Sequence, residues 1–314
     1  SIMPFVISGG IPGGCAVPGI MATRSLRSPK EKLATLLTAP FLACGAKVPV
    51  FILLAGAFFP HHSAEVLFGV TLLGWGIALL TALLLRSTLI RGEATPFVLE
   101  LPPYRLPTLR AVLTHTWQRV WQYIKKAGTI VLGLSIVIWA AMTFPGLPDA
   151  DRAQLRTERQ TIQAKLARAE GAKKKSALRE KLNTLQAERA RQELKHSVAG
   201  RLGTFLEPVT RLAGFDWKTN IALVGGFAAK EVIVSTLGTA YSLQNAGPGH
   251  AAPLADKLDR DPDFTRLNGI SLMVFVLLYA PCFVAVVALA KESAWKWALF
   301  FIVFNTCLAF TLAA

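Results

Sequence analysis

Long apolar stretches recur along the whole chain, and they constrain its fold more than any other feature. Seven of them are long enough, or nearly so, to cross about 30 Å of hydrocarbon. They lie at 2–21, 33–59, 64–85, 127–144, 219–241, 270–290 and 297–314. A chain of 314 residues that is 53% hydrophobic carries more apolar surface than a soluble domain of this size buries. We therefore expect an all-α fold, a polytopic transmembrane helical bundle.

The net charge of +15 does not indicate nucleic acid binding, because the basic residues are not spread as a binding patch. Residues 149–196 hold 13 basic and 7 acidic residues, and most other basic residues flank apolar stretches. That distribution is typical of topology signals and lipid headgroup contacts. We predict a bilayer partner, no nucleic acid partner and three segments. They are 1–148, the first part of the transmembrane domain; 149–199, a charged helical insert outside the membrane; and 200–314, the second part.

The insert has leucines at helical spacing in each half, with a Gly and Lys-rich turn between, which favours a hairpin of two helices over one long helix. Residues 109–126 and 201–217 are predicted to be interfacial amphipathic helices. Basic short segments place 22–32 and 86–126 in the cytoplasm. Because successive spans cross the membrane in alternating directions, the "PHHS" turn at 60–63 and the insert are then outside. The 242–268 loop and the end of the chain are inside.

Several apolar stretches are interrupted by Gly, Pro and charged residues, so we expect broken gate helices. The segment "CGAKVPVF" at 44–51 is similar to "FAAKEVIV" at 227–234, and "GCAVPGI" at 14–20 is loosely similar to "PCFVAVV" at 281–287. Non-helical backbone at membrane depth is tolerated only where protein buries it or where it lines a polar cavity. Paired interruptions of this kind indicate the binding site of a transporter.

The residues at these breaks include thiols and a carboxylate, which are metal ligands where they face a polar path. The candidate metal ligands are Cys15, Cys282, Glu231, Cys44 and Met21. For each thiol the alternative is a small buried packing residue, and for Met21 helix packing is the better explanation. Cys307 lies in an unbroken stretch and is expected to pack.

Two lysines at the breaks, Lys47 and Lys230, are candidates for a gate or an ion pair. Glu231 is an acid within an apolar stretch, where a charge normally faces a cavity or a partner. Lys47 is its better candidate partner, since Lys230 points about 100° away around the helix. A purely structural ion pair is the alternative. Exposed turns and capping are the simpler explanations for His61, His62, Asp216 and Asn220.

Several long motifs, in order, resemble the membrane domain of the ferrous iron transport protein B (FeoB) family. They are "GCAVPGIMATR", "EKLATLLTAPFLACGAKVPVFILLAGAFFP", "AGTIVLGLSIVIWAAMTFP", "GFDWKTNIALVGGFAAKEVIVSTLGTAY" and "WKWALFFIVFNTCLAF". The resemblance covers nearly everything outside 149–199. The chain begins with Ser in mid-pattern and holds no G-x-x-x-x-G-K-[ST] motif, so we expect a fragment without the N-terminal GTPase domain.

This resemblance implies a transporter of Fe²⁺ in the bacterial inner membrane, with no enzymatic activity in this chain. Fe²⁺ would be the substrate and no cofactor would be bound permanently, while GTP and Mg²⁺ would belong to the missing domain. Implied partners are that GTPase domain, small Feo accessory proteins and further copies of the chain. The alternatives are a gate-type permease for another divalent metal or a nucleoside, and a scaffold or sensor that acts through the insert.

Overall fold

The computed structural model describes residues 15–26, 28–41, 44–88, 108–168, 172–241, 254–255, 258 and 264–314. These residues form α-helices and contain no strand, which confirms the all-α prediction. The helices are α1 (Ala16–Ala22), α2 (Pro29–Thr38), α3 (Val48–Phe58), α4 (Ser63–Thr88), α5 (Leu109–Thr143), α6 (Asp149–Arg168), α7 (Ala172–His196), α8 (Val198–Thr210), α9 (Trp217–Ala228), α10 (Val232–Ala240), α11 (Arg266–Leu278), α12 (Phe283–Glu292) and α13 (Trp295–Ala313).

Within the described part of the chain, three helical segments are long and apolar enough to cross a membrane: Ser63–Leu85, Arg266–Glu292 and Trp295–Ala313. They match the predicted spans at 64–85, 270–290 and 297–314. Large apolar side chains on α4 and α13, such as Leu83 and Val303, lie on the outside of the bundle, where lipid replaces a protein core. The polytopic transmembrane bundle is therefore confirmed for the described residues.

Helix α5 corrects one prediction. The interfacial helix predicted at 109–126 and the span predicted at 127–144 form one continuous helix of 35 residues. No proline interrupts it, so the ladder of backbone hydrogen bonds continues for about 52 Å. Its N-terminal half exposes Trp117 and Trp121, whose rings stack 6.2 Å apart.

The insert consists of α6 and α7, which pack against each other. Helix α7 leads directly into α8, because Ser197 caps α8 through its hydroxyl at 3.1 Å from the Gly200 nitrogen. Arg191 and Lys195 lie over the ring of Trp217, each 5.9 Å from its centroid. The base of the insert is therefore fastened to the start of α9. Helix α8 exposes Phe205 and Val209, as expected of an interfacial helix.

Helices α9 and α10 overturn the predicted span at 219–241, because they fold into a helical hairpin. Lys218 near the start of α9 lies 4.2 Å from the ring centroid of Tyr241, which follows the end of α10. A Cβ on Gly225 would lie 3.1 Å from Val232, so the two helices run side by side from the tip. The hairpin enters the bundle and returns to the side from which it came.

The hairpin also reverses the predicted direction of the next span. The ring of Phe264 stacks on Phe58, next to the "PHHS" turn, and Ser271 donates to the carbonyls of Ala213 and Ala313. Helix α11 therefore starts on the side of the turn, and α13 ends there. Glu292, at the other end of the span, binds Arg24 on the opposite side. The prediction that the chain ends inside is thus wrong if the "PHHS" turn lies outside.

Candidate functional site: where the broken helices meet

Two short helices with cysteine N-caps lie side by side. Cys15 precedes α1 and Cys282 precedes α12, each with extended backbone at ψ 136° and 153°. The far ends of the two helices are joined by Glu292, which accepts from Arg24 at 2.6 Å and Lys32 at 3.2 Å. Helices α1 and α12 are therefore parallel, and both begin near the middle of the bundle.

A second parallel pair, α3 and α10, runs the opposite way from the same level. Lys47 precedes α3 and Lys230 lies at the tip of the α9–α10 hairpin. Helix α3 ends at Phe58, next to the "PHHS" turn. Tyr241, after α10, lies over Lys218, shortly after Ala213, whose oxygen accepts from Ser271 on the same side. The two motif pairs found in the sequence are thus brought together as pairs. Four helices begin at one place, two running to each side.

The break between α11 and α12 follows from Pro281. In a continuous helix the carbonyl oxygen of Leu277 would accept from the nitrogen of residue 281, and proline has no N–H to give. The Nζ atom of Lys47 takes this place, at 2.7 Å from the Leu277 oxygen and 3.3 Å from the Pro40 oxygen. The lysine therefore caps carbonyls from two separate breaks.

Lys230 caps a third carbonyl in the same way. Its Nζ atom donates to the oxygen of Ala280 at 2.9 Å and lies 3.0 Å from the ring centroid of Tyr279. This approach depends on Gly226, since a Cβ there would lie 2.7 Å from the Tyr279 hydroxyl and would also overlap Ile233. The Tyr279 hydroxyl is buried and has no hydrogen-bond partner among the described residues.

The thiols of the breaks lie on the same segments as these lysines and their carbonyls. Cys282 is two residues after Ala280, whose oxygen accepts from Lys230, and the Cys44 oxygen accepts from the Lys47 backbone nitrogen at 2.9 Å. Cys15 precedes α1, which packs against α12. Cys44 and Cys282 are half-buried and Cys15 is exposed. The structure thus brings together three of the predicted metal ligands and both predicted gate lysines.

The predicted ion pair between Lys47 and Glu231 does not form. Glu231 is exposed at the tip of the hairpin, and no described carboxylate lies within 4.0 Å of Lys47 or Lys230. The reason is geometric: the carbonyls of the breaks already accept from both ammonium groups. Met21 is half-buried against the apolar core of the bundle.

The remaining candidates are placed as follows. Cys307 is exposed on the surface of α13, so its expected packing in the bundle is wrong. Asp216 caps α9, accepting from the Thr219 nitrogen at 2.8 Å. His62 pairs with Glu65 in an exposed turn. Within the described part of the chain, no three His, Cys, Asp or Glu side chains are grouped closely enough to hold a metal ion.

Sequence reasoning missed Tyr279 and Glu292. Tyr279 looks like one more apolar residue of a span, although Pro281 two residues later signals that its surroundings leave the helix. Glu292 looks like a solvated charge at the end of a span. Its role as the partner of Arg24 depends on a contact 268 residues apart in sequence, which no local pattern reveals.

Comparison with known families gives two matches. The family described as "Ferrous iron transport protein B C terminus" matches residues 67–119, and the Gate family, described as "Nucleoside recognition", matches residues 124–296. The Gate match covers more than half of the chain and includes α9 to α12. It therefore contains the hairpin with Lys230 and the break with Cys282.

Curated relatives match almost the entire chain. A "Fe(2+) transport protein A/Fe(2+) transporter FeoB fusion protein" of Porphyromonas gingivalis is 42% identical over 96% of the chain and 36% of its own length. A "Fe(2+) transporter FeoB" of Helicobacter pylori is 36% identical over 96% of the chain and 46% of its own length. A protein of the same name from Staphylococcus aureus is 32% identical over 99% and 39%, respectively. The chain thus spans less than half the length of these relatives. No solved structure matches it.

Proposed function

Because the chain belongs to the FeoB family and matches the C-terminal part of its curated members, we propose that it forms part of a transporter of Fe²⁺ in the bacterial inner membrane. The observation that carries this proposal is that Cys15 and Cys282 precede two parallel, packed helices, α1 and α12, at breaks in the bundle. Thiol sulfur is a good ligand for Fe²⁺ and a poor one for hard cations such as Mg²⁺ and Ca²⁺.

In this proposal the ion passes between the Cys-capped helices α1 and α12 and exchanges part of its water shell for sulfur. The separation of the thiols suits successive, partial binding better than a closed cage, since an ion must also leave the site to be transported. Exposed Glu231 at the hairpin tip supplies a carboxylate beside this path, and Met21 on α1 a thioether. Among the described residues Glu231 has no ion-pair partner, whereas Met21 is half-buried against the apolar core.

The rest of the transporter is also part of the proposal. GTP binding and hydrolysis would lie in a further domain of the whole protein, and this chain would have no enzymatic activity of its own. The Porphyromonas gingivalis relative is named as a fusion with Fe(2+) transport protein A, which supports a small Feo protein as a partner. Further copies of the chain are a third possible partner, and the bilayer is the fourth.

The proposal is tested by uptake of radioactive Fe²⁺ into proteoliposomes that contain the full-length natural protein. We expect Cys15→Ser and Cys282→Ser each to reduce uptake, because oxygen replaces the soft sulfur ligand at unchanged volume. Cys307→Ser is the matched control, since its thiol lies on the exposed surface of α13 away from the breaks. Glu231→Gln is expected to reduce uptake at unchanged thermal stability, because no ion pair is lost.

Two outcomes of the uptake experiment would contradict the proposal. Undiminished uptake in both Cys15→Ser and Cys282→Ser would remove the thiols from the path. Uptake of Mn²⁺, Zn²⁺ or a nucleoside in place of Fe²⁺ would assign a different solute to the same site. Nucleoside uptake is measured as well, because the matching Gate family is described as "Nucleoside recognition".

A further inference from the structure

Lys47 and Lys230 are an unusual pair for the interior of a membrane protein. Each is only 2% exposed, and neither has a carboxylate partner among the described residues. A buried ammonium group without an anion nearby is costly, so it is expected only where it serves a purpose.

What the lysines bind indicates that purpose. Their ammonium groups occupy the carbonyl oxygens of Pro40, Leu277 and Ala280, all at breaks in membrane helices. In transporters built from broken helices, carbonyls freed in this way coordinate cations such as Na⁺. Such oxygen ligands are the ones that Na⁺, Mg²⁺ and Ca²⁺ prefer. In this protein the oxygens are already taken by the amino groups of the chain's own lysines.

The electrostatic field at the same place opposes a further cation held by neutral oxygen. The N-termini of α3, α10 and α12 lie there, and a helix N-terminus carries a partial positive charge. A cation that gains bonding to sulfur is compensated for this repulsion, whereas a hard cation gains nothing from carbonyl oxygens that the lysines already occupy.

We infer that Lys47 and Lys230 are specificity-determining residues, which exclude hard cations by filling the carbonyl positions of the broken helices and leave sulfur as the ligand for a passing ion. This role rests on the proposed function, since it concerns which cations that path accepts. In this role the two lysines line the path of the ion and are not part of an ion pair.

The test compares Fe²⁺ and Ca²⁺ in proteoliposomes containing the full-length natural protein. Ca²⁺ is not expected to inhibit Fe²⁺ uptake by the wild-type protein at equal concentration. In the double variant Lys47→Met and Lys230→Met, both side chains stay long but lose their charge and their N–H donors. The Ca²⁺ concentration that inhibits Fe²⁺ uptake should then fall by about tenfold or more. Lys296→Met, on the exposed start of α13, is the matched control and should behave as wild type.

Two results overturn the inference. One is strong inhibition of the wild-type protein by Ca²⁺ at equal concentration. The other is a folded double variant whose Fe²⁺ uptake is as insensitive to Ca²⁺ as that of the wild type, since a purely structural role leaves the selectivity unchanged. If the double methionine variant does not fold, the single variants Lys47→Met and Lys230→Met are tested, because each removes the donor from its own carbonyls. Unchanged insensitivity in both folded single variants also overturns it.

Failure of the proposed function is distinguishable from failure of this inference. A wild-type protein that takes up no Fe²⁺ contradicts the function alone. Binding of radioactive Ca²⁺ to the purified full-length protein in detergent then tests the lysines independently. Stronger binding to the variants without the two charges supports their role, and equal binding to variants and wild type overturns it.

Discussion

At the scale of single residues, the site depends on how closely the hairpin tip approaches the break in the neighbouring span. Lys230 reaches both Ala280 and the face of Tyr279 because Gly226 leaves room for the tyrosine hydroxyl. No backbone strain requires glycine at this position. The requirement is space, since any Cβ would meet the hydroxyl and Ile233.

Gly226→Ala is therefore expected to destabilise the protein by about 1–3 kcal/mol, the usual cost of overpacking a filled interior. Gly76→Ala is the matched control. It lies within α4 with nothing within 4 Å of its Cβ position, and the gain in helix propensity should raise stability by up to about 1 kcal/mol. Thermal denaturation in detergent measures both. Equal melting temperatures for the two variants would show that α9 yields to the extra methyl group.

At the scale of elements, the four short helices of the site (α1, α3, α10 and α12) each begin at a Cys, Lys or Glu near the middle of the bundle and are held at the far end. For α1 and α12 the outer end is held by Glu292, whose side chain is 6% exposed and binds both Arg24 and Lys32. Because the two helices are parallel, we expect this contact at their far ends to influence how far apart Cys15 and Cys282 lie.

Glu292→Gln should lower stability by about 1–3 kcal/mol, since hydrogen bonds to charged groups are lost from a nearly buried site. It should also increase the reactivity of Cys282 towards thiol reagents, because α12 loses its attachment to α1. Glu65→Gln is the control: Glu65 pairs with His62 in an exposed turn, where an ion pair contributes little. Unchanged melting and unchanged thiol reactivity in Glu292→Gln would contradict the coupling.

At the scale of the whole molecule, the re-entrant hairpin changes the topology that charge and hydropathy predict. It returns the chain to the side of the insert, so the span at Arg266–Glu292 runs in the direction opposite to the prediction. Lys291 and Lys296, which flank the turn after Glu292, then lie on the same side as Arg24 and Lys32. This arrangement agrees with the positive-inside rule better than strict alternation does.

Cysteines introduced one at a time distinguish the two topologies. With an impermeant maleimide added outside spheroplasts, we expect His62→Cys and Arg266→Cys to label above the parent protein, and Ala294→Cys only after permeabilisation. All three positions are exposed. Strict alternation predicts the reverse for the last two, so labelling of Ala294→Cys and protection of Arg266→Cys would reject the hairpin.

The sequence by itself determined the class of the protein and the places where its helices break. Apolar length fixes the spans at Ser63–Leu85 and Trp295–Ala313, because only a helix satisfies its own backbone in lipid. Pro281 and the paired Cys and Lys motifs mark the breaks, since proline and glycine act locally on the backbone. Of the candidate residues, Cys15, Cys44, Cys282, Lys47 and Lys230 are those that the fold gathers.

Only the tertiary structure decided where the broken segments lead and what their charges bind. An apolar stretch of 23 residues at 219–241 has the same hydropathy whether it crosses the membrane or turns back at Ala229. The turn is chosen because Lys230 at the tip finds the oxygen of Ala280, which lies 50 residues away in sequence. Likewise Lys47 binds carbonyls instead of Glu231. The breaks leave these oxygens without a backbone N–H partner, and they lie nearer to the Lys47 amino group than the Glu231 carboxylate does.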